Sequence, residues 1–264
     1  MGYITLLSDF GYQDASVASA KGILAQVIPG SLVIDITHQP DPFHLQQAAY
    51  LLSAAYRNFP AGTCHIILYD IFYGPKPALV LSEKAGQYFL APDNGILPLA
   101  LGRQTEGCML CYELSDNGSM HDWITAAGQI AGQLQTMSPN ALGLPLHEVK
   151  NAARYLQPKV EPNGLEGHVI HIDRFGNVVT NITEDIGSRT GRNRPFRIGL
   201  VRDVVITEIS RRYNEVKEGE KLCRFNSAGY LEIAINRGNA AVLLGLRLQR
   251  EQHLIYNTIK IVFE

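Results

Sequence analysis

The sequence predicts an α/β protein in two parts: a larger N-terminal α/β domain with a mostly parallel sheet, residues 1–157, and a smaller C-terminal all-β domain, residues 158–264. Three observations predict it. From Tyr3 to about Leu156, short β-branched or Leu-rich runs alternate with longer stretches of helical spacing, as strands covered by helices on both faces do. The segment Gln157-Pro158-Lys159-Val160-Glu161-Pro162-Asn163-Gly164 then collects prolines, charges and a glycine without periodicity, the composition of a linker. Beyond it, short strand-like runs recur with turn residues between them, which suits a small barrel or sandwich.

Taken in order, Tyr3–Leu7 reads as a strand and Ala15–Val27 as a helix that stops before Pro29-Gly30. Val33–Ile36 is a strand, followed by a loop with Pro40 and Pro42. Leu45–Tyr56 has helical spacing, with Leu45, Ala48, Ala49, Leu52 and Ala55 on one face. Thr63–Tyr69 and Ala78–Leu81 are strands bracketing the loop Asp70–Pro77, Tyr88–Ala91 is another strand, and Trp123–Leu134 is a helix. In the second part the expected strands are Leu165–Ile172, Asn177–Ile182, Phe196–Val201, Val204–Glu208, Lys221–Asn226, Leu231–Ile235 and Ile255–Val262.

A formal charge of −2 with 18% charged residues gives no electrostatic reason to expect nucleic acid or an anionic membrane surface as partner, so small molecules are the default. No basic segment precedes Gly2-Tyr3-Ile4-Thr5-Leu6-Leu7, and nowhere do about eighteen apolar residues run together, so the expected location is the cytoplasm. The cysteines Cys64, Cys108, Cys111 and Cys223 are too few and too scattered for a disulfide framework. Cys108 and Cys111 have ligand-like spacing, but no second pair of ligands lies nearby, so they read as ordinary strand residues and no metal site is expected.

Ligands of open α/β sheets bind outside the carboxyl ends of strands. Asp9, at such an end in Leu7-Ser8-Asp9-Phe10-Gly11, is placed to accept hydrogen bonds from a ribose diol or to start the following helix. No G-x-G-x-x-G follows, so this is not a dinucleotide fingerprint. Asp70, ending Ile67-Leu68-Tyr69-Asp70, suits a general base or an orienter of water. Asp93-Asn94-Gly95 reads as a structural turn. In the run His171–Ile182, alternation breaks at Arg174-Phe175-Gly176-Asn177. This is either a hairpin turn or a place where an aromatic face, a close backbone and a carboxamide hold a flat heteroaromatic ring.

These segments, together with Lys21-Gly22, Asp35-Ile36-Thr37-His38, Phe59-Pro60-Ala61-Gly62-Thr63 and Asn226-Ser227-Ala228-Gly229-Tyr230-Leu231, resemble in order and spacing the S-adenosylmethionine hydroxide adenosyltransferases, the family that also contains fluorinase and chlorinase. The resemblance implies a C-terminal β-barrel and a homotrimer whose ligand sites lie between the N-terminal domain of one subunit and the C-terminal domain of its neighbour. It implies Asp9 for the ribose diol and Phe43 for packing on the nucleoside. It further implies Asp173 for the methionine ammonium, Phe175 and Asn177 for adenine, and Ser227 for the methionine carboxylate. S-adenosylmethionine enters as substrate or ligand, and no cofactor is implied.

The implied chemistry is displacement at the ribose C5′, and Asp70, standing where the hydrolases have Asp and fluorinase has Tyr, favours water as nucleophile. Two departures stand out. Pro77 occupies the position of the family's loop arginine, and the family's His-Gly-Arg-Asp aligns on Ser119-Met120-His121-Asp122. Lys76 and His121 are the candidates to replace the missing arginine and histidine, although lysine is a mobile point charge where arginine is a rigid fork. Alanine at 228 also stands where fluorinase has an arginine. The expected function is hydrolysis of S-adenosylmethionine to adenosine and L-methionine, with a nucleoside-binding protein of little turnover as the alternative.

Overall fold

The computed structural model describes residues 2–102, 107–150, 157–191, 194–200, 205–248 and 258–264. The chain divides into two compact units, 1–153 and 154–264.

The first unit runs β1 (Tyr3–Ser8), α1 (Ser16–Val27), β2 (Leu32–Thr37), α2 (Leu45–Tyr56), β3 (Cys64–Leu68), β4 (Ala78–Lys84), β5 (Gln87–Pro92), α3 (Ile96–Leu101), β6 (Met109–Glu113) and α4 (Met120–Gln133). Its sheet has the order β2-β1-β3-β5-β4-β6. β1 pairs parallel with β2 and β3, and β3 with β5, whereas β4 is antiparallel to both β5 and β6. The sheet is therefore mixed, with β4 alone reversed. The reversal comes from a two-residue hairpin in which Ala85 and Gly86 take φ of 53° and 72°, the left-handed pair that a type I′ turn requires.

Successive strand residues face opposite ways, so a strand between two helical layers is apolar at every position. Leu6, Ile66, Leu68, Leu79, Leu81 and Leu90 pack in one core with residues of α1 and α4. Leu7, Ile67, Val80, Phe89 and Ala91 pack in the other with residues of α2 and α3. Each such Leu, Ile or Phe contributes about 1.5–3 kcal/mol of transfer free energy. Helices α1 and α4 meet closely at Gly128, where a Cβ would lie 3.1 Å from Val27 Cγ1.

Helix α4 begins at Met120, earlier than the expected Trp123, because Ser119 and Asp122 close a reciprocal capping box. Six-residue α3 is too short to show a period and was not expected, nor was β6 as a whole, though Cys111 lies within it. Strands β1, β2, β3 and β5 run the same way, so the loops after them emerge at one edge of the sheet. Among the described residues no helix is long and apolar enough to cross a membrane.

The second unit runs β7 (Lys159–Glu161), β8 (Gly164–Ile172), β9 (Val178–Thr183), α5 (Glu184–Gly191), β10 (Phe196–Gly199), β11 (Val205–Ile206), β12 (Lys221–Phe225), β13 (Tyr230–Ile235), α6 (Ala240–Leu244) and β14 (Thr258–Phe263). Strand pairing is antiparallel along β11-β10-β14-β8-β9-β13-β12, with β7, inside the segment expected as a linker, added beside β8. The two ends of this path approach each other: Ile209 bridges to Cys223, whose carbonyl accepts from Ser210 N at 2.8 Å. The result is a nearly closed barrel around Leu165, Val178, Ile198, Leu231, Ile233 and Ile261. Of the expected strand positions, Val201, Val204 and residues 255–257 lie outside the described residues. Helices α5 and α6 were not expected.

Candidate functional site

In the first unit the ends of β1 and β3 bring Asp9 and Asp70 together: the Asp70 backbone N–H donates to Asp9 Oδ2 at 3.0 Å. Burial pushes the Asp9 carboxyl up, with the Asp70 N–H opposing. Burial also pushes Asp70 up, and the neighbouring negative charge of Asp9 adds to it. Asp70 holds φ of 45°, a left-handed conformation that costs a non-glycine residue about 1–2 kcal/mol. Asn94, from the end of β5, clamps it there: its amide donates to Tyr69 O at 2.9 Å and to Asp70 O at 3.5 Å, while its Oδ1 accepts from Ile96 N at 3.1 Å. The turn expected at Asp93-Asn94-Gly95 is therefore also the back wall of the Asp70 loop.

The Phe43 loop is fastened to the same place. Buried Tyr69 donates through its hydroxyl to Asp41 O at 2.9 Å, and Asp41 N donates to Gln47 Oε1 at 2.6 Å. Phe43 is 68% exposed with φ of 63°, an aromatic ring held out in a strained backbone. Lys76 and His121 are exposed, and neither forms a hydrogen bond or ion pair with Asp70 among the described residues. The Asp70–Pro77 loop is instead braced through Tyr73, whose hydroxyl accepts from Ala78 N at 3.0 Å and whose ring carries the Lys150 ammonium 4.2 Å above it. Lys150 is fixed in turn by its N–H, which donates to Asp93 Oδ1 at 2.7 Å, with His147 Nε2 3.0 Å from Oδ2.

A relay behind Asp9 escaped the sequence reading, which quoted its residues without a role. Ser8 Oγ lies 2.6 Å from His38 Nδ1, His38 Nε2 is 3.2 Å from Asp35 Oδ1, and Lys21 Nζ is 2.7 Å from Asp35 Oδ2. Burial pushes the Asp35 carboxyl up, but the hydrogen bonds and charges of Lys21 and His38 outweigh it and hold the group below its ordinary value. The order Ser–His–Asp invites comparison with a nucleophilic triad. Ser8 and His38 are both fully buried, however, so no substrate carbonyl can approach the hydroxyl. The relay anchors the loop instead, because Gly11 N also donates to His38 O at 2.7 Å.

In the second unit Asp173 organises the turn between β8 and β9. Its Oδ1 accepts from Phe175 N and Asn177 N, each at 2.9 Å, and its Oδ2 accepts from the Asn177 amide at 2.9 Å. The hairpin turn is thus real, and it leaves Phe175 76% exposed above a buried Asn177. Gly176 has φ of 81°, and a Cβ there would lie 2.2 Å from the Asn239 side chain, which caps α6. Ser227 lies exposed in a second turn of the same construction. Asn226 Oδ1 accepts from Ala228 N at 3.0 Å and Tyr230 N at 3.1 Å, matching the bonds that Asp173 Oδ1 makes to the third and fifth residues of its own turn.

Residues 4–132 match the S-adenosylmethionine hydroxide adenosyltransferase N-terminal domain, and residues 167–252 match the corresponding C-terminal domain. The chain is 31% identical to the (R)-S-adenosyl-L-methionine hydrolase of Thermus thermophilus, over 92% of this chain and 96% of that one. It is 26% identical to the fluorinase of an Actinoplanes species, over 92% and 94%. A crystal structure of an uncharacterized conserved protein from Thermotoga maritima, 28% identical, superposes with a TM-score of 0.81 over 98% of this chain and 99% of that one. Both halves of the chain, in order and on the expected fold, place it in the S-adenosylmethionine hydroxide adenosyltransferase family, to which it belongs together with fluorinase and chlorinase.

Proposed function

We propose that this chain binds S-adenosylmethionine and hydrolyses it to adenosine and L-methionine. In the proposed assembly, a homotrimer, each ligand lies between the N-terminal unit of one copy and the C-terminal unit of its neighbour. Relatives named as S-adenosylmethionine hydrolases and fluorinases support this class of chemistry in general. The observation that carries the hydrolytic reading is the Asp9–Asp70 pair at adjacent strand ends, with Asp70 made more basic than an ordinary carboxylate by burial and by Asp9. Asp9 takes the ribose diol and Phe43 packs on the nucleoside. Phe175 and Asn177 take the adenine, Asp173 faces the ammonium and Ser227 the carboxylate.

Water held by Asp70 forms a bond to C5′ as the C5′–S bond breaks. Methionine leaves with the electron pair as a neutral thioether, and the proton of the attacking water passes to Asp70 and then to solvent. Alignment and desolvation of the nucleophile supply most of the acceleration, since the sulfonium is already a good leaving group. Lys76 and His121 serve as polarising partners once substrate is bound.

The test is incubation with S-adenosylmethionine in oxygen-18 water, beside Asp70→Asn. Equal amounts of adenosine labelled at its 5′ oxygen and methionine are expected, with a loss of about 10²-fold or more in the variant. Unlabelled adenosine, or an unaffected variant, refutes the role of Asp70. The exposure of both Lys76 and His121, neither hydrogen-bonded nor ion-paired to Asp70 among the described residues, favours a second reading as a nucleoside-binding protein without efficient turnover. Calorimetric binding with no adenosine formed establishes that one instead.

A further inference from the structure

Strands β12 and β13 set Arg224 directly opposite Glu232. Their neighbours Cys223, Leu231 and Ile233 belong to the barrel core, so the alternation of strand residues puts Arg224 and Glu232 on the outer face. Glu232 is nevertheless only 5% exposed. The Tyr213 hydroxyl donates to its Oε1 at 2.7 Å, and the Asn226 side chain also hydrogen-bonds it. Burial above all pushes its carboxyl up and the negative charge of Asp173 acts in the same direction, while the Tyr213 and Asn226 hydrogen bonds and the positive charge of Arg224 oppose them, so Asp173 and Arg224 both lie within electrostatic reach of Glu232.

Arg224 makes no ion pair with its cross-strand partner. Its guanidinium lies 4.7 Å over the centre of the Tyr213 ring, and its hydrogen bond is a long one from Nε to Phe225 O, 3.5 Å. Its charge is felt by Glu232, but the fork itself is not spent on a direct bond to that carboxylate. Stacking on Tyr213 holds the planar fork ready, and its terminal nitrogens form no hydrogen bond or ion pair among the described residues. A guanidinium directly across from Glu232, with Asp173 within electrostatic reach of that carboxylate, has the charge pattern of a receptor for an α-amino-acid zwitterion.

We infer that Arg224 binds the carboxylate at the amino-acid end of S-adenosylmethionine, supplying the guanidinium that Ala228 lacks, while Glu232 and Asp173 face the ammonium. Tyr213 positions both Arg224 and Glu232. The inference rests on the proposed function and adds the specificity-determining residue for the half of the ligand beyond sulfur.

The test is calorimetric titration of the full chain with S-adenosylmethionine, its decarboxylated analogue and 5′-methylthioadenosine, which lacks the amino acid. Wild type is expected to bind the decarboxylated analogue about tenfold to hundredfold more weakly than S-adenosylmethionine, the worth of one charge-assisted contact. Arg224→Gln is expected to abolish that difference and leave methylthioadenosine affinity unchanged. Equal wild-type affinity for the first two ligands overturns the inference without any variant, and an equal loss for all three ligands in Arg224→Gln overturns it by exposing a structural role. A wild type that binds methylthioadenosine but not S-adenosylmethionine overturns the inference while sparing the nucleoside site. Binding of none of the three overturns the proposed function as well.

Discussion

Replacing Asn94 by alanine tests whether Asp70 is positioned from behind. The substitution removes hydrogen bonds to Tyr69 O at 2.9 Å and from Ile96 N at 3.1 Å, and a longer one to Asp70 O at 3.5 Å. At about 1 kcal/mol net for each ordinary bond, the expected loss of stability is about 2 kcal/mol, read by urea denaturation. The functional effect should be larger. Asp70 is held at a φ of 45° that it would leave if the clamp were gone, and a misplacement of about 1 Å at a reacting centre costs roughly 10²-fold in rate. Adenosine formation should therefore fall by about that factor in kcat. Asn94→Ser is the control: its shorter hydroxyl can accept from Ile96 N and start α3, but it does not reach Tyr69 O, so it should recover stability more than rate. An alanine variant that loses about 2 kcal/mol and keeps wild-type kcat would falsify the clamp and leave Asn94 as a helix-starting residue alone.

Gly176→Ala should cost about 2–4 kcal/mol, the sum of a left-handed alanine and a displaced Asn239 cap, and should weaken adenosine binding. Wild-type stability in chemical denaturation would show that the turn yields without strain. Fully buried His65, between Thr5 Oγ1 at 2.7 Å and Gln87 Oε1 at 2.9 Å, is pushed down to about 4 by burial, with the Gln87 hydrogen bond opposing. Its folded value is depressed below 6.5, so its contribution is present above pH 6.5 and is lost as pH falls toward 4. About 3 kcal/mol should disappear across that window and the slope should flatten in His65→Gln, whereas equal slopes for the two proteins would rule out the assignment.

The layered first unit was legible because its central strands are buried on both faces, which makes Leu6-Leu7 and Ile66-Ile67-Leu68 unbroken apolar runs. The reversal of β4 was hidden, since its turn uses alanine where glycine or asparagine would have announced positive φ. Asp173, Phe175 and Asn177 were readable as a unit because five consecutive residues contain their mutual contacts. Asn94 was legible as a turn residue, but its hydrogen bonds to the Tyr69 and Asp70 carbonyls were not. Its partners Tyr69 and Asp70 become neighbours only because β3 pairs with β5. Ser8 and His38 likewise meet across β1 and β2, and Arg224 faces Glu232 only through the register of β12 with β13. Contacts of this kind depend on strand order, which residue spacing does not encode.

The paired corners of the barrel differ in how freely their first residue can be exchanged. One is tied by the carboxylate of Asp173 and the other by the carboxamide of Asn226, yet the backbone bonds are the same: the first residue's N–H reaches the fifth carbonyl at 3.0 Å in one and 2.9 Å in the other. A neutral oxygen therefore suffices to fold such a corner. At 173 the second carboxylate oxygen does more, because it accepts from the Asn177 amide at 2.9 Å, and an isosteric asparagine would set two NH2 groups face to face and force Asn177 to turn its amide over. The corner at 226 can therefore change its side chain alone, whereas a change at 173 carries residue 177 with it.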